Sequence, residues 1–388
     1  MKSVLSILTS LSFITAFGQQ RLKVEVRNEL DFERKEIVGI KTSELTKFLS
    51  DKNQQDIRIS DGKQNLVLQW IDNDSDGASD ELLFQADVKA KSKTTYTLFA
   101  DVSQPVPTSA IKTFSRFVPE RTDDYAWEND KVAFRTYGPD AQRRVEQKLP
   151  NGTLSSGIDV WLKRTEKPVI DKWYAGYASD GNFYHKDRGE GYDPYHVGGS
   201  RGTGGSGIWI NDSLEVSKNF IDYKTIATGP LRTVFELEYA PWGRFGISET
   251  KRISLDLGSN FSKFEVSYRS GRAIPNYTVG ITLHDGKGQV ETHPEHGWFR
   301  YAETIDGTLL CEGIVVKPKL ISESKVIRSG IPDADHILIL LDPNKKIEYF
   351  AGFAWAKSDQ IKSVEDWDKM LKEKARCLAS PLTIVVLR

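Results

Sequence analysis

The feature that most constrains this chain is a succession of short segments in which apolar and polar residues alternate. A period of two is typical of a β-strand with one buried face. Turn signals such as Asp285-Gly286 separate these segments, with little helical periodicity between them, so the pattern predicts a large antiparallel β-sandwich. The clearest segments are Val132–Tyr137, Ile158–Leu162, Leu231–Tyr239, Ile247–Leu255, Lys263–Arg269, Val279–Leu283, Leu309–Val316 and His336–Leu341.

A smaller β-rich module precedes the sandwich. Strand-like alternation starts at Arg21–Glu29, and the proline-containing stretch 103–110 is typical of a linker. The predicted division is residues 1–18 as a signal peptide, 19–105 as an N-terminal β-module and 106–388 as the catalytic β-region.

Few helices are expected. Thr42–Leu49 has the length of a short helix. Ser363–Leu378 is amphipathic, with Ser363 as its N-cap and Asp366 three residues later.

The first eighteen residues have the pattern of a secretory signal. Lys2 precedes an apolar run that ends in the small-x-small site Ala16-Phe17-Gly18. We therefore expect a secreted or periplasmic protein, and no segment has the length of a membrane span. The charge is balanced, with 53 basic and 54 acidic residues, which argues against nucleic acid as a partner. Cys311 and Cys377 are compatible with one disulfide or with two free thiols.

An acidic stretch in the N-terminal module resembles the first half of a calcium loop. Asp72, Asp74, Asp76 and Asp80 supply carboxylates at positions 1, 3, 5 and 9, and Gly77 stands at position 6. Leu83 replaces the bidentate glutamate of an EF-hand, so a structural Ca²⁺ and a solvated turn both remain open, with Ca²⁺ favoured.

Residues 182–207 combine acid–base side chains, aromatic rings and eight glycines. The segment contains no GK[ST] and is followed by a strand-like run, which excludes a nucleotide loop. An active-site loop is favoured over a mobile surface loop, because ordering so long a polar segment costs conformational entropy. Its acid–base and aromatic residues are Tyr184, His185, Lys186, Asp187, Arg188, Glu190, Tyr192, Asp193, Tyr195, His196 and Arg201.

This set suits proton abstraction beside a carboxylate, as in β-elimination from a uronic acid. His185 is the predicted base, and Tyr184, Tyr195 or Lys186 the acid. Arg201, or else Arg135, would neutralise the sugar carboxylate. Such chemistry does not require a metal, and a catalytic metal is not favoured. The predicted substrate-binding residues are Arg135, Arg188, Glu190, Tyr192, Trp127 and Trp209.

Three alternatives stay open. The first is a metal site built from His284, His293, His296 and the acids near them. The second is another enzyme acting on uronic-acid glycans, either a polysaccharide lyase or a glycosidase whose carboxylates are Asp187, Glu190 and Asp193. The third is a non-catalytic carbohydrate-binding protein, for which Trp127 and Trp209 would matter more than His185.

Longer motifs resemble a family of exported bacterial proteins long described as a domain of unknown function. These motifs are Tyr125–Asp130 with Phe134-Arg135, Tyr137-Gly138-Pro139, Trp161–Arg164, Tyr184–Asp187 with Gly189-Glu190-Gly191, Tyr195 with Val197-Gly198, Gly204-Gly205, Asn219, Gly229-Pro230, Arg232, and Gly352 with Trp355. The resemblance implies a galactose-mutarotase-like β-supersandwich and a role in degrading uronic-acid polysaccharides such as ulvan and pectin. It also implies an oligosaccharide dehydratase, which removes the C4 hydroxyl as water from a non-reducing-end uronic acid.

Overall fold

The computed structural model describes residues 21–195, 197–331 and 333–387. The predicted signal peptide and His196 therefore lie outside the described residues. The helices are α1 Thr42–Leu49, α2 Pro139–Glu146, α3 Ile170–Ser179 and α4 Val364–Ala379. The strands are β1 Leu22–Asn28, β2 Arg34–Lys41, β3 Ile57–Ser60, β4 Leu68–Ile71, β5 Glu81–Val88, β6 Ser92–Ala100, β7 Phe114–Val118, β8 Asp124–Glu128, β9 Ala133–Thr136, β10 Asp159–Lys163, β11 Gly191–Tyr192, β12 Thr203–Ile210, β13 Ser213–Glu215, β14 Asp222–Thr228, β15 Arg232–Trp242, β16 Ile247–Asp256, β17 Phe261–Arg269, β18 Tyr277–Thr282, β19 Gln289–His293, β20 Trp298–Ile305, β21 Thr308–Val316, β22 Ile321–Ile327, β23 His336–Leu341, β24 Ile347–Trp355 and β25 Thr383–Leu387.

In the described part of the chain the strands form five sheets. The large sheet has the order β14-β15-β16-β17-β24-β21-β20-β19. Two five-stranded sheets have the orders β11-β10-β9-β8-β7 and β13-β12-β18-β23-β22, and the N-terminal module has the orders β25-β1-β6-β3 and β2-β5-β4. All strand pairs are antiparallel, so the predicted all-β supersandwich is confirmed, as are the eight strand segments of the sequence pattern.

The core lies between the large sheet and both five-stranded sheets, and strand alternation sorts the side chains. Trp127 and Phe134 point into this main core, whereas their neighbours Ala126 and Ala133 join Trp161 under α3. On the opposite face of the large sheet, α4 covers a cluster that includes Cys311, a free thiol like Cys377. The layered packing follows from the period-two pattern.

Two of the four helices in the described residues were predicted from the sequence. The predicted α1 and α4 are confirmed, and α4 begins with a capping box in which Ser363 and Asp366 bond each other's backbone amides. The helices α2 and α3 were not predicted. The spacing of Ile170, Trp173 and Tyr174 on α3 is helical, but it was hidden among aromatic residues with good strand propensity.

The glycine-rich segment is shorter than predicted, because its last residues, from Thr203 onward, form β12 rather than a loop. Gly204 has φ +103°, and a Cβ there would lie 2.5 Å from the Cβ of Ala351 on β24. Glycine here lets two sheets approach closely, which a sequence pattern does not distinguish from a loop.

One sheet of the N-terminal module includes strands from both ends of the described residues. β25 pairs with β1, with Val24 opposite Val386, so a strand assigned to the catalytic region belongs to the module's sheet. Gln69 fastens the module to the sandwich by bonding the backbone of Leu231 and Arg232. Within the described ranges, no helix has both the length and the apolar character to cross a membrane.

Candidate active site

The segment from α3 to β12 runs along one edge of the five-stranded sheet that contains β10. Its strand β11 pairs with β10, with Tyr192 opposite Leu162. Gly191 has φ +114°, and a Cβ there would lie 1.8 Å from the carbonyl oxygen of Leu162. Glycine is therefore required at 191, and the tight pairing positions the functional residues on either side.

A buried guanidinium organises the first of two polar centres, which we call the Arg135 centre. Arg135 Nε lies 2.6 Å from Asp159, Nη2 lies 2.8 Å from Asp193 and Nη1 lies 3.6 Å from Asp124. Its Nη1 also donates to the hydroxyl of Tyr184 at 3.0 Å. Because Arg135 is 3% exposed and these groups take up its donors, its predicted role as a clamp for a sugar carboxylate does not fit this position.

Three carboxylates around one guanidinium do not all ionise easily. Burial raises the pKa of Asp124 to about 6, and the positive charge of Arg135 offsets only part of this effect. Burial and the nearby charge of Asp159 also raise the pKa of Asp193 well above its ordinary value. The centre therefore holds protons at higher pH than exposed aspartates would.

His185 lies at the solvent side of the Arg135 centre. Its Nδ1 is 3.1 Å from the backbone oxygen of Asp193, and its side chain is 36% exposed. A carbonyl oxygen only accepts, so Nδ1 carries the proton and Nε2 of the neutral ring keeps a free lone pair. Burial, with a smaller contribution from Arg135, lowers the pKa of His185, which keeps the ring neutral near pH 7. The predicted base thus has a suitable tautomer and charge.

The second centre surrounds Tyr195 and is assembled from distant strands. The Tyr195 hydroxyl donates to Glu303, and its ring stacks on His284 with centroids 3.9 Å apart. His284 Nδ1 lies 2.7 Å from the same Glu303 oxygen. Glu312 lies in the same cluster and accepts a 2.7 Å hydrogen bond from Thr203. We call Tyr195, His284, Glu303, Glu312 and Thr203 the Tyr195 centre.

The Tyr195 centre is electrostatically strained. Burial, and the charge of Glu303, raise the pKa of Glu312 to about 7, although His284 opposes them. Burial alone would lower the pKa of His284, but Glu303 and Glu312 outweigh it and raise that pKa. Burial and the same two carboxylates raise the pKa of Tyr195, so its hydroxyl keeps its proton near pH 7.

The two centres are neighbours in the chain. The Tyr195 backbone amide donates to Asp193 Oδ1 at 3.2 Å, and the Asp193 backbone oxygen faces His185. The three residues 193–195 therefore join a free imidazole on one side to a phenol on the other.

Other predicted site residues are placed elsewhere. Arg201 is 1% exposed and bonds Ser156 and the backbone oxygens of Ser206 and Gly199, so it cannot clamp a substrate carboxylate in this position. Trp127 is wholly buried and donates to Ser262, so the predicted sugar-stacking role does not fit it.

Trp209 is partly exposed but lies six residues along β12 from Thr203, about 20 Å at the rise of a strand. Tyr184 is buried, where its hydroxyl accepts from Arg121 and Arg135, so Tyr195 is the better placed acid.

The remaining residues of the segment differ in burial and in their partners. Tyr192 is buried and donates to Asp306. Arg188 pairs with Asp180, and Glu190 with Lys172. Lys186 is exposed, and none of the described residues forms an ion pair with it.

The proposed glycosidase and metal sets are not brought together as predicted. Asp187 pairs with Arg164 and Lys357, and Asp193 is buried under Arg135. His293 lies on the β19–β20 hairpin, where Glu291 and Glu295 bond its two ring nitrogens, while His284 belongs to the Tyr195 centre.

Sequence reasoning missed Glu303 and Glu312. One signal was present, because Glu312 is a lone acid in the apolar strand segment 309–316, and such a residue in a buried strand requires a partner. No comparable signal marked Glu303, whose place depends on the pairing of β20 with β21.

The acidic turn joins β4 to β5. Asp72, Asp74 and Asp80 each offer an oxygen within 4.8 Å of the others, and Asp76 is not part of this group. Backbone amides of residues 75–77 donate to Asp72, which stabilises the turn by itself. A structural Ca²⁺ here stays a prediction.

A family model described as "Domain of unknown function (DUF4861)" matches residues 26–384. A Formosa agariphila protein named "Uncharacterized protein P7" is 42% identical over 372 residues, which cover 94% of this chain and 93% of that protein.

The chain is similar to solved structures at low sequence identity. A glycosyl hydrolase family 38 protein from Enterococcus faecalis has a TM-score of 0.51 and 9% identity, over 96% of this chain. This chain spans 48% of that structure, about half its length. An alpha-mannosidase from Enterococcus faecalis V583 has a TM-score of 0.44 and 8% identity, over 95% of this chain and 46% of its own.

Proposed function

The chain belongs to the DUF4861 family, and we propose that it is a carbohydrate-active lyase that dehydrates uronic-acid oligosaccharides by β-elimination. The observation that carries the proposal is that Asp193 links two groups with acid–base capacity through its hydrogen bonds: His185, a neutral imidazole with a lone pair on Nε2, and Tyr195, a protonated phenol. A supersandwich shared with a glycosyl hydrolase family 38 protein is consistent with a sugar ligand, though fold alone assigns no reaction.

The reaction balances with these two residues. His185 Nε2 takes the proton from C5, and the C5–H electron pair forms the C4–C5 double bond. The C4–O bond breaks, and the departing hydroxyl takes the proton of Tyr195 and leaves as water. Proton exchange with solvent restores both side chains. Each transfer of this kind contributes about 10²–10⁴-fold to a rate.

We assign to Lys186 the role of orienting the sugar carboxylate. It is next to His185 in the chain and exposed to solvent, unlike the buried Arg135 and Arg201. An ammonium near the carboxylate stabilises the negative charge that develops when C5 loses its proton.

A second candidate is glycoside hydrolysis by Glu303 and Glu312. An oxygen of each carboxylate lies within 4.8 Å of the other, so the two are no farther apart than the carboxylates of retaining glycosidases, which are separated by about 5 Å. Glu312, with its pKa of about 7, would be the acid. Elimination is preferred because Glu312 is only 1% exposed and bonded to Thr203.

The test is product analysis with purified protein and oligosaccharides from ulvan, pectin and alginate. Dehydration predicts new ultraviolet absorbance of a conjugated unsaturated uronate and a mass loss of one water from an intact oligomer. Absorbance with chain cleavage would make the protein a polysaccharide lyase, and cleavage without absorbance a hydrolase. Binding with no product from any substrate would favour a carbohydrate-binding protein, and each of these three results overturns the proposal.

A further inference from the structure

We propose that His284, Glu303 and Glu312 bind one divalent transition-metal ion, with Zn²⁺ as the preferred ion, beside Tyr195. Each residue offers a ligand atom, and these atoms all lie within 4.8 Å of one another. The site was not predicted from the sequence, which favoured metal-free chemistry and grouped His284 with His293 and His296.

The carboxylates of this cluster are largely buried, and one of their oxygens lacks a partner, within the described part of the chain, that would offset its negative charge. Glu312 is 1% exposed, and its Oε2 is buried with no hydrogen-bond partner among the described residues. Glu303 is also largely buried, at 9% side-chain exposure. Two buried carboxylates this close repel each other, and an unpartnered buried oxygen is costly. A bound cation would relieve both penalties.

Two of the three ligands are held by strands, and the third lies in the turn after a strand. Glu303 is on β20 and Glu312 on β21, two paired strands of the large sheet. Thr203 on β12 fixes Glu312 by a hydrogen bond from the neighbouring sheet, which is the kind of outer contact that orients a metal ligand. His284 follows β18 with φ +41°, a conformation that histidine adopts uncommonly.

The donor set selects the class of metal. One imidazole with two carboxylates suits Zn²⁺ or Mn²⁺, whereas Ca²⁺ takes six to eight oxygen ligands. Tyr195 lies against this set, bonded to Glu303. The hairpin residue His293 offers a contrast, because Glu291 and Glu295 occupy both of its ring nitrogens on an exposed turn.

The consequence for catalysis rests on the proposed function. A uronate that approaches Tyr195 meets Glu303 and Glu312, whose negative charges repel its carboxylate. A divalent cation reverses that repulsion and, as a Lewis acid, stabilises charge on a sugar oxygen. The metal and Lys186 would thus both stabilise negative charge on the substrate, the metal beside Tyr195 and Lys186 beside His185.

The test measures metal binding without any sugar. After dialysis against a chelator and then against metal-free buffer, the full chain is titrated with Zn²⁺ by calorimetry, and its metal content is measured by mass spectrometry. The expected result is one equivalent of Zn²⁺ per chain. Glu312→Gln and His284→Asn should weaken binding at least tenfold, and asparagine tolerates the backbone conformation at 284. Thr203→Val should weaken it about 10–100-fold through loss of the outer contact.

His293→Asn is the matched control and should bind Zn²⁺ like the unaltered protein. Failure of the unaltered protein to bind Zn²⁺ or Mn²⁺ would overturn the inference, and so would equal losses in His284→Asn and His293→Asn. The two proposals fail separately. If the protein binds Zn²⁺ but forms no unsaturated product, the metal site is supported and the proposed function is overturned. If the protein forms the product but binds no metal, the proposed function is supported and the metal site is overturned.

Discussion

At the scale of single residues, His185 and His284 show how surroundings assign different roles to the same ring. His185 is half-exposed, its Nδ1 faces a carbonyl oxygen and its pKa is lowered. His284 is stacked on Tyr195 and bonded to Glu303, and its pKa is raised. The His185 ring is therefore neutral near pH 7, as its proposed role as a base requires, whereas the His284 ring is held against carboxylates, as its proposed role as a metal ligand requires.

We expect His185→Gln to lower kcat by about 10²–10⁴-fold, because the base is lost, with little change in thermal stability at this half-exposed position. In the unaltered protein, a His185 pKa below the ordinary value of 6.5 means that the ring loses its proton below that pH. The rate should therefore rise with pH on the acid side and level off near neutrality, which a pH–rate profile on a uronate oligosaccharide measures.

His293→Gln is the control, since its ring nitrogens face Glu291 and Glu295 on the β19–β20 hairpin, outside both centres, and it should retain full activity. A His185→Gln variant within a few-fold of normal activity would show that another group removes the C5 proton.

At the scale of elements, one buried ion pair connects β10, β8 and the start of α3, the elements beside the Arg135 centre. Lys163 on β10 donates to Glu128 on β8 at 2.8 Å, and both side chains are at most 1% exposed. Glu128 also accepts the backbone amides of Val169 and Ile170, so it caps α3 from a distant strand. This explains why no local cap marks the start of α3.

We predict that Lys163→Met lowers the free energy of unfolding by about 3–5 kcal/mol, because it leaves a buried carboxylate uncompensated. The double variant Lys163→Met/Glu128→Gln should recover part of this loss, since no buried charge remains. Urea unfolding of both single variants and the double variant gives the coupling energy.

The exposed pair between Lys172 on α3 and Glu190 is the matched control, with side chains 59% and 28% exposed. Glu190→Gln should cost less than about 1 kcal/mol. Similar costs for the two pairs would mean that the buried bridge does not hold α3.

At the scale of the whole molecule, the strand β25 pairs with β1, which lies near the other end of the described residues. β25 follows α4 and adds to the edge of the N-terminal module beside β1, and Ile384 and Val386 pack against that module's core. The module therefore cannot complete its sheet until the last strand has been placed. Gln69 and the acidic turn then connect the module to the large sheet, where Asn73 bonds Arg252.

We expect Ile384→Asp to lower the free energy of unfolding by about 2 kcal/mol or more, because it places a charge against the module's core. Hydrogen exchange should show lost protection in β1 and β25, with the large sheet less affected.

Thr383→Asp, an exposed position on the same strand, should leave both measurements unchanged. Equal loss of protection across the large sheet would show that the module and the sandwich unfold as one unit.

The sequence by itself determined the fold class and part of the site. Alternation in segments such as Leu231–Tyr239 predicted the sandwich, because side-chain direction in a strand is local. Local capping likewise predicted α4. His185 and Tyr195 were predicted as chemistry-bearing residues because the residue types themselves carry the acid–base capacity.

Only the tertiary structure decided which residues share a centre. Glu303 and Glu312 lie on the β20–β21 hairpin, more than a hundred residues along the chain from Tyr195, and their approach to Tyr195 depends on tertiary packing that no local pattern encodes. It also decided that Arg201 and Trp127 are buried, since their types suit either a site or a core. Residue type sets what a side chain can do, whereas burial and long-range pairing set whether a substrate or a metal can reach it.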